Sequence, residues 1–212
     1  MIRGDIDVLV TKYARTEKLG SDVGWLNHST QFDDRSAEIN YSLVREYKPK
    51  VVVEFGTRTG RCTHDILKAL LINGGKFLYK PYELEDDLRN TAQSEINRIF
   101  KENAPAIGGD ITKASDIPDG IDYLFIDNYH DLQTTKWVFD TLIHKCKPGA
   151  LVQIHDWSLK GDFDRTDWGN LEETDYVLQL HQAGKLPLEK LYWTIDEGDL
   201  NTQSSWWIYK PI

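Results

Sequence analysis

Cysteine is scarce in this chain. Its 212 residues include only Cys62 and Cys146, and neither sits at metal-ligand spacing from a second cysteine or a histidine. A disulfide framework and a cysteine-built zinc site are therefore excluded, and two reduced, packed thiols are expected. Long apolar runs are missing as well. No stretch reaches the roughly 18 residues a spanning helix needs, and the start shows no charged-then-apolar leader. A cytoplasmic protein with no membrane partner is the expectation. Basic residues are outnumbered, 25 against 34 acids, for a formal net charge of -9, which argues against a surface that neutralises nucleic-acid phosphates. Repeats and low-complexity linkers are also lacking. The length suits one domain, residues 1–212, able to bury a sizeable core.

What is present centres on Val51-Val52-Val53-Glu54-Phe55-Gly56-Thr57-Arg58-Thr59-Gly60. A β-branched run fit for a strand buried on both faces ends in an acid and a glycine-punctuated turn. An amphipathic helix follows with Ile66, Leu67, Leu70 and Leu71 on one side, stopped by Asn73-Gly74-Gly75. Strand, glycine turn and helix together bring backbone N–H groups up to a nucleotide-like ligand. The turn is not a phosphate loop, because no lysine follows Gly60. It also departs from the dinucleotide fingerprint, since Arg58 stands where a glycine should be. The carboxylate of Glu54 suits a cationic or hydroxyl-rich ligand; the competing reading is an ordinary turn with a surface-facing acid.

Helix and strand signals alternate from Val51 onward, as in an α/β domain with a parallel sheet. Lys76–Tyr82 reads as a second strand, Asp86–Glu102 as a helix, Ala106–Gly109 as a short third strand and Ile121–Ile126 as a fourth. After a helix carrying Trp137, Val138, Leu142 and Ile143, the turn Lys147-Pro148-Gly149 leads into a fifth strand, Ala150–Ile154. Leu171–Ala183 reads as a helix, and Lys190–Ile195 with Ser204–Tyr209 as an antiparallel hairpin across a short turn. Asp5–Lys18 and Asp34–Tyr47 read as helices ahead of the sheet, the second stopped by Pro49. Five successive strands end in an acid: Glu54, Glu83, Asp110, Asp127 and Asp156. Helix capping accounts for any one of them and accounts poorly for five in register.

These features resemble the class I S-adenosylmethionine (SAM)-dependent methyltransferases, whose first motif runs Glu/Asp-x-Gly-x-x-x-Gly after the first strand. The resemblance covers roughly residues 40–212. It implies a Rossmann-like seven-stranded sheet, mostly parallel with an antiparallel C-terminal strand, and helices on both faces. It divides the chain into a SAM-binding core, 49–212, and an N-terminal helical segment, 1–48, that folds over the site as a lid. It assigns Glu83 to the ribose hydroxyls, Asp110 to the adenine amino group, and Glu54 with the backbone of Gly56 and Gly60 to the methionine portion, with Thr57 and Ile111 also among the cofactor-binding residues. Arg58 either holds the methionine carboxylate or points to solvent.

Asp127-Asn128-Tyr129-His130, then Lys-Pro-Gly and a strand ending His155-Asp156-Trp157, resembles a subgroup that includes enzymes acting on sugars and glycosylated metabolites. The implied reaction is O-methylation of a small molecule, with Asp127, His130 and Asp156 as catalytic candidates and Asp127 also near the cofactor. An alcohol must lose its proton near the transition state, and His130 has the pKa range for that task; a helix-terminal histidine bonded locally is the plainer reading. The competing mechanism holds a divalent metal such as Mg²⁺ on Asp127 and Asp156, although Trp157 stands where catechol-type relatives supply Asn. His155 and Asp156, adjacent on a strand, should face opposite ways. His64, His144 and His181 read as helix-surface residues. Trp157 and Trp168 flank a long polar loop, 158–170, of the kind that shapes acceptor pockets. A non-catalytic SAM-fold module is the alternative function, and a homo-oligomer is compatible with the sequence.

Overall fold

The computed structural model describes residues 3–17, 34–127, 131–155, 159–160, 164–165, 171–193 and 204–212. The chain forms two compact units, Met1–Ile117 and Pro118–Ile212.

In the first unit, α1 (Arg3–Val10) runs into a wider turn over Thr11–Arg15 and packs Ile6, Val10 and Ala14 out of water. Helix α2 (Asp34–Tyr47) ends two residues before Pro49, as expected where proline bars a helical predecessor. Carboxylates fasten the two helices together. Glu17 accepts both Arg45 Nη2 at 2.9 Å and Arg45 Nε at 3.0 Å, with the Tyr41 hydroxyl added. Strand β1 (Val51–Phe55) pairs in parallel with β2 (Leu78–Tyr82), Val51 opposite Leu78 and Phe55 opposite Tyr82. Between them lies α3 (Arg61–Asn73), whose first two turns are buried all round. Helix α4 (Asp86–Phe100) opens on two acids, which suit the positive end of a helix dipole.

The second unit begins with β3 (Ile121–Ile126) and α5 (Leu132–Trp137). Asp131 caps α5 by accepting the Thr134 N–H at 2.9 Å. Strand β4 (Cys146–Ile154) is parallel to β3 with one irregularity: Cys146 stands opposite Ile121 and Leu151 opposite Tyr123, so Lys147-Pro148-Gly149 bulges out, Gly149 at φ 85°. A two-residue pair, β5 (Leu159–Lys160) and β6 (Asp164–Arg165), precedes α6 (Leu171–Gln182). Strands β7 (Leu188–Trp193) and β8 (Ser205–Tyr209) are antiparallel, with β8 lying between β4 and β7. That central place buries Trp206 and Trp207 together, though they point to opposite faces.

Among the described residues the main sheet has six strands, parallel where β1 meets β2 and β3 meets β4, antiparallel at β8. Seven were expected. The missing one is Ala106–Gly109, which makes a single bridge, Gly108 opposite Tyr82. The Gly108 N–H donates to Pro81 O at 2.9 Å, and the Glu83 N–H donates to Gly108 O at 2.9 Å. Continuing that parallel ladder toward Ala106 requires an N–H from residue 81, and proline has none. On the far side of the segment, Gln93 accepts the Ile107 N–H at 2.7 Å and donates to Pro105 O at 3.0 Å. The edge is closed by a side-chain amide instead of a strand. Glycine at 108 is required: a Cβ there would stand 2.6 Å from the Tyr82 ring.

Candidate functional site

The turn after β1 has the left-handed backbone its glycines foretold. Gly56 lies at φ 92° and Gly60 at φ 88°, and Arg58, a non-glycine, is held at φ 49°. The Gly60 N–H closes the turn on Thr57 O at 2.8 Å, while the Gly56 N–H reaches Tyr82 O at 2.9 Å and ties the turn to the end of β2. Gly60 also starts α3 and abuts α4, where a Cβ would meet Ala92 Cβ at 3.4 Å.

Glu54 is fully buried. Its Oε2 accepts the Thr63 hydroxyl of α3 at 2.9 Å and the Tyr79 hydroxyl of β2. Burial, then the nearby Glu54 charge, pushes the Tyr79 phenol well above its ordinary range. The acid therefore faces the helix packed on the strand and organises the base of the turn.

Glu83, at the end of β2, is 6% exposed. Its Oε2 accepts the Arg58 N–H at 2.6 Å and its Oε1 the Glu85 N–H at 3.0 Å. This carboxylate thus reaches the glycine turn and still has lone pairs to offer a pair of hydroxyls. Thr57 is 3% exposed, and its hydroxyl has no hydrogen-bond partner. Arg58 is exposed. Asp110 caps a short turn, its Oδ1 accepting the Thr112 N–H at 3.0 Å and the Thr112 hydroxyl at 2.6 Å. Those bonds, with Lys113 2.9 Å from Oδ2, hold its carboxyl below the usual range. Ile111 beside it is buried. Glu54, Gly56, Thr57, Gly60, Glu83, Asp110 and Ile111 all belong to one unit.

In the second unit the parallel register carries Asp127 and His155 just past the ends of β3 and β4. The His155 N–H donates to Ile126 O at 2.9 Å, and His155 Nδ1 lies 3.5 Å from Asp127 Oδ1. His155 is 3% exposed. The sequence reading passed over it, treating it only as the neighbour of Asp156. The available signal was register: with Ile126 opposite Ile154, the next residues on each strand share a face. His130, Asp156, Trp157 and Trp168 lie outside the described residues, as does the loop at 24–30. Among the described residues no three His, Cys, Asp or Glu side chains group to hold a metal, and no helix is long and apolar enough to cross a membrane.

One surface assignment is corrected. His64 is buried, not exposed: its Nδ1 lies 3.0 Å from Asp65 Oδ1 and its ring meets Phe100 of α4 at 5.3 Å. Helix α3 is enclosed on more than its sheet-facing side, so a polar position on it does not imply solvent. His144 and His181 are exposed as expected.

Residues 53–157 match the model of a family described as a methyltransferase domain. This chain belongs to the class I SAM-dependent methyltransferases. No curated protein matches it in sequence. Solved structures share its fold at low identity. An O-methyltransferase from Bacillus cereus in complex with SAH is 12% identical, with a TM-score of 0.64 over 98% of this chain and 92% of that one. The O-methyltransferase TomG from Streptomyces achromogenes, involved in tomaymycin synthesis and in complex with SAM, is 15% identical with a TM-score of 0.64 over 100% and 92%. The SAH-bound Podospora anserina methyltransferase PaMTH1 is 12% identical with a TM-score of 0.61 over 99% and 89%. In this methyltransferase the Glu83 carboxylate meets the glycine turn at the Arg58 N–H, next to the buried Thr57, all on the first unit.

Proposed function

We propose that this protein transfers a methyl group from SAM to a hydroxyl of a small molecule, with a sugar or glycosylated metabolite as the acceptor class. The observation that carries the cofactor half is Glu83, buried at the end of β2 and bonded to the Arg58 N–H of the glycine turn. A carboxylate held that way presents two oxygens to the ribose diol without having to be ordered on binding. The Thr57 hydroxyl, with no partner of its own, supplies a bond to the methionine portion. Bound there, SAM supplies an electrophilic methyl on a positively charged sulfur. O-methylation as the reaction type, rather than methylation in general, is supported by the likeness to the O-methyltransferases of Bacillus cereus and Streptomyces achromogenes.

The protein's task is then alignment of the acceptor and removal of its proton. His130 is assigned as the general base, with Asp127 and Asp156 as the other two catalytic candidates. The 3.5 Å approach of Asp127 to the His155 ring supports Asp127 as an acid that orients an imidazole. Trp157, which cannot ligate a metal, supports the base over a divalent cation held by Asp127 and Asp156. Calorimetry with S-adenosylhomocysteine (SAH), followed by SAH release from SAM over a panel of sugars and glycosides, tests the reading. Cofactor binding with no turnover on any hydroxyl acceptor would favour a non-catalytic module.

A further inference from the structure

The two adjacent tryptophans of β8 differ in what their indole N–H groups meet. Trp207 donates from Nε1 to Ser205 Oγ at 2.9 Å. Trp206, on the opposite face and fully buried, has no acceptor for its Nε1–H among the described residues. Directly across the ladder from it stands Gln153 of β4, also fully buried. Residues paired in this way share a face, with their Cβ atoms about 4.5–5.5 Å apart, so the two side chains lie side by side. Gln153 Oε1 accepts the Tyr123 hydroxyl of β3 at 2.5 Å, but Gln153 Nε2 has no acceptor among the described residues. On the other side of Trp206, Tyr192 of β7 closes the row, its ring centroid 6.0 Å from that of Trp206. Native interiors seldom leave one buried donor without an acceptor, and here two stand on neighbouring strands. A buried tryptophan usually finds a partner for its N–H; phenylalanine would fill this face without that demand.

We propose that Gln153 and Trp206 form the binding site of one structural water molecule inside the sheet of the second unit. The ligand must offer an oxygen that accepts two neutral N–H groups, and it must be small, because neither side chain reaches the surface. Water meets both demands and keeps two hydrogens to donate. The Tyr123 phenol oxygen, held on the same face by Gln153, can accept one of them while its own hydrogen stays on Gln153 Oε1. Gln153 precedes His155 by two positions on β4 and therefore shares its face. The site lies one row below the Asp127–His155 pair, and the water fixes the Gln153 and Trp206 rotamers beneath it.

The test uses the full wild-type chain. A high-resolution crystal structure should show a single solvent peak about 2.7–3.2 Å from both Gln153 Nε2 and Trp206 Nε1. In solution, the Trp206 indole proton should give an NMR cross-peak to a long-lived water and exchange slowly. Its signal is assigned by its loss in Trp206→Phe, or by its shift in Gln153→Met should the first variant not fold. Gln153→Met should also abolish the cross-peak, since one donor no longer holds the water. Clear density without a peak at the two nitrogens, together with no cross-peak, would overturn the proposal. So would a Gln153 amide turned end for end, its carbonyl accepting the Trp206 N–H directly, because no donor is then left over. Density for a larger molecule on the same two nitrogens would overturn it as well and give the place to a different ligand.

Discussion

Glu54 and Glu83, in the Met1–Ile117 unit, are sealed and occupied, whereas Asp127, in the Pro118–Ile212 unit, is open. Glu54 and Glu83 are at most 6% exposed, and each accepts two donors from its own neighbourhood. The Asp127 side chain is 23% exposed and faces an imidazole nitrogen at 3.5 Å, beyond ordinary hydrogen-bond distance. Groups that hold a cofactor gain from being fixed beforehand, because ordering them on binding would subtract from affinity. Groups beside a proton transfer must tighten only as charge develops, and loose geometry in the free enzyme is usual for them.

The largest expected effect falls on the open side. His130→Ala should lower kcat roughly 100-fold or more while SAH affinity stays near wild type, as read by steady-state kinetics and calorimetry. Chelator should then change little; activity abolished by chelator and restored by Mg²⁺ would move the chemistry to a metal on Asp127 and Asp156.

On the sealed side, Glu54→Ala should cost stability before it costs affinity. It strands the Tyr79 and Thr63 hydroxyls in the core, at about 1–3 kcal/mol for each unsatisfied group, visible as a lower denaturant midpoint. An unchanged midpoint would show that the pair rebonds elsewhere. Glu83→Ala should do the reverse, weakening SAH by about 2 kcal/mol with the fold intact.

Smaller still is the effect of Pro81→Val. Restoring an N–H at position 81 should let Ala106 O join the ladder and lengthen the bridge at Gly108 toward a seventh strand, adding about 1 kcal/mol and slowing exchange of the new amide. No added protection would mean that the Gln93 contacts, not the proline, set the edge.

The least effect is a pH dependence in the N-terminal helices. The Arg45 guanidinium and the Tyr41 hydroxyl hold the Glu17 carboxyl below its ordinary value, against a smaller opposing push from burial. A depressed folded-state pKa means the contact stabilises fully at neutral pH and is lost as pH falls through the carboxylate range. Amide exchange in α1 should therefore rise first on acidification, and Glu17→Gln should flatten that response.

Much of the fold was legible because it depends on local pattern. β-branched runs with turn residues at their ends located β1 and β3, and helical periodicity located α2 to within the residues observed. The short turn before Ser204 announced an antiparallel pair. The third strand was misread because the residues of Ala106–Gly109 say nothing about the neighbouring strand, and the neighbour's Pro81 ends the ladder. In the site, the glycine turn and the strand-end acids were legible from residue type and order. His155 was not, because its value depends on register with β3.

The sequence by itself determined which residues stand at the ends of the strands, because strand length and turn chemistry are set within a few residues of each other. Only the tertiary structure decided what each of those residues faces. Glu54 meets Tyr79 and Thr63, and Glu83 meets the Arg58 N–H. Those partners lie 9 to 25 positions away in the chain, brought together by strand pairing and helix packing that no local pattern encodes.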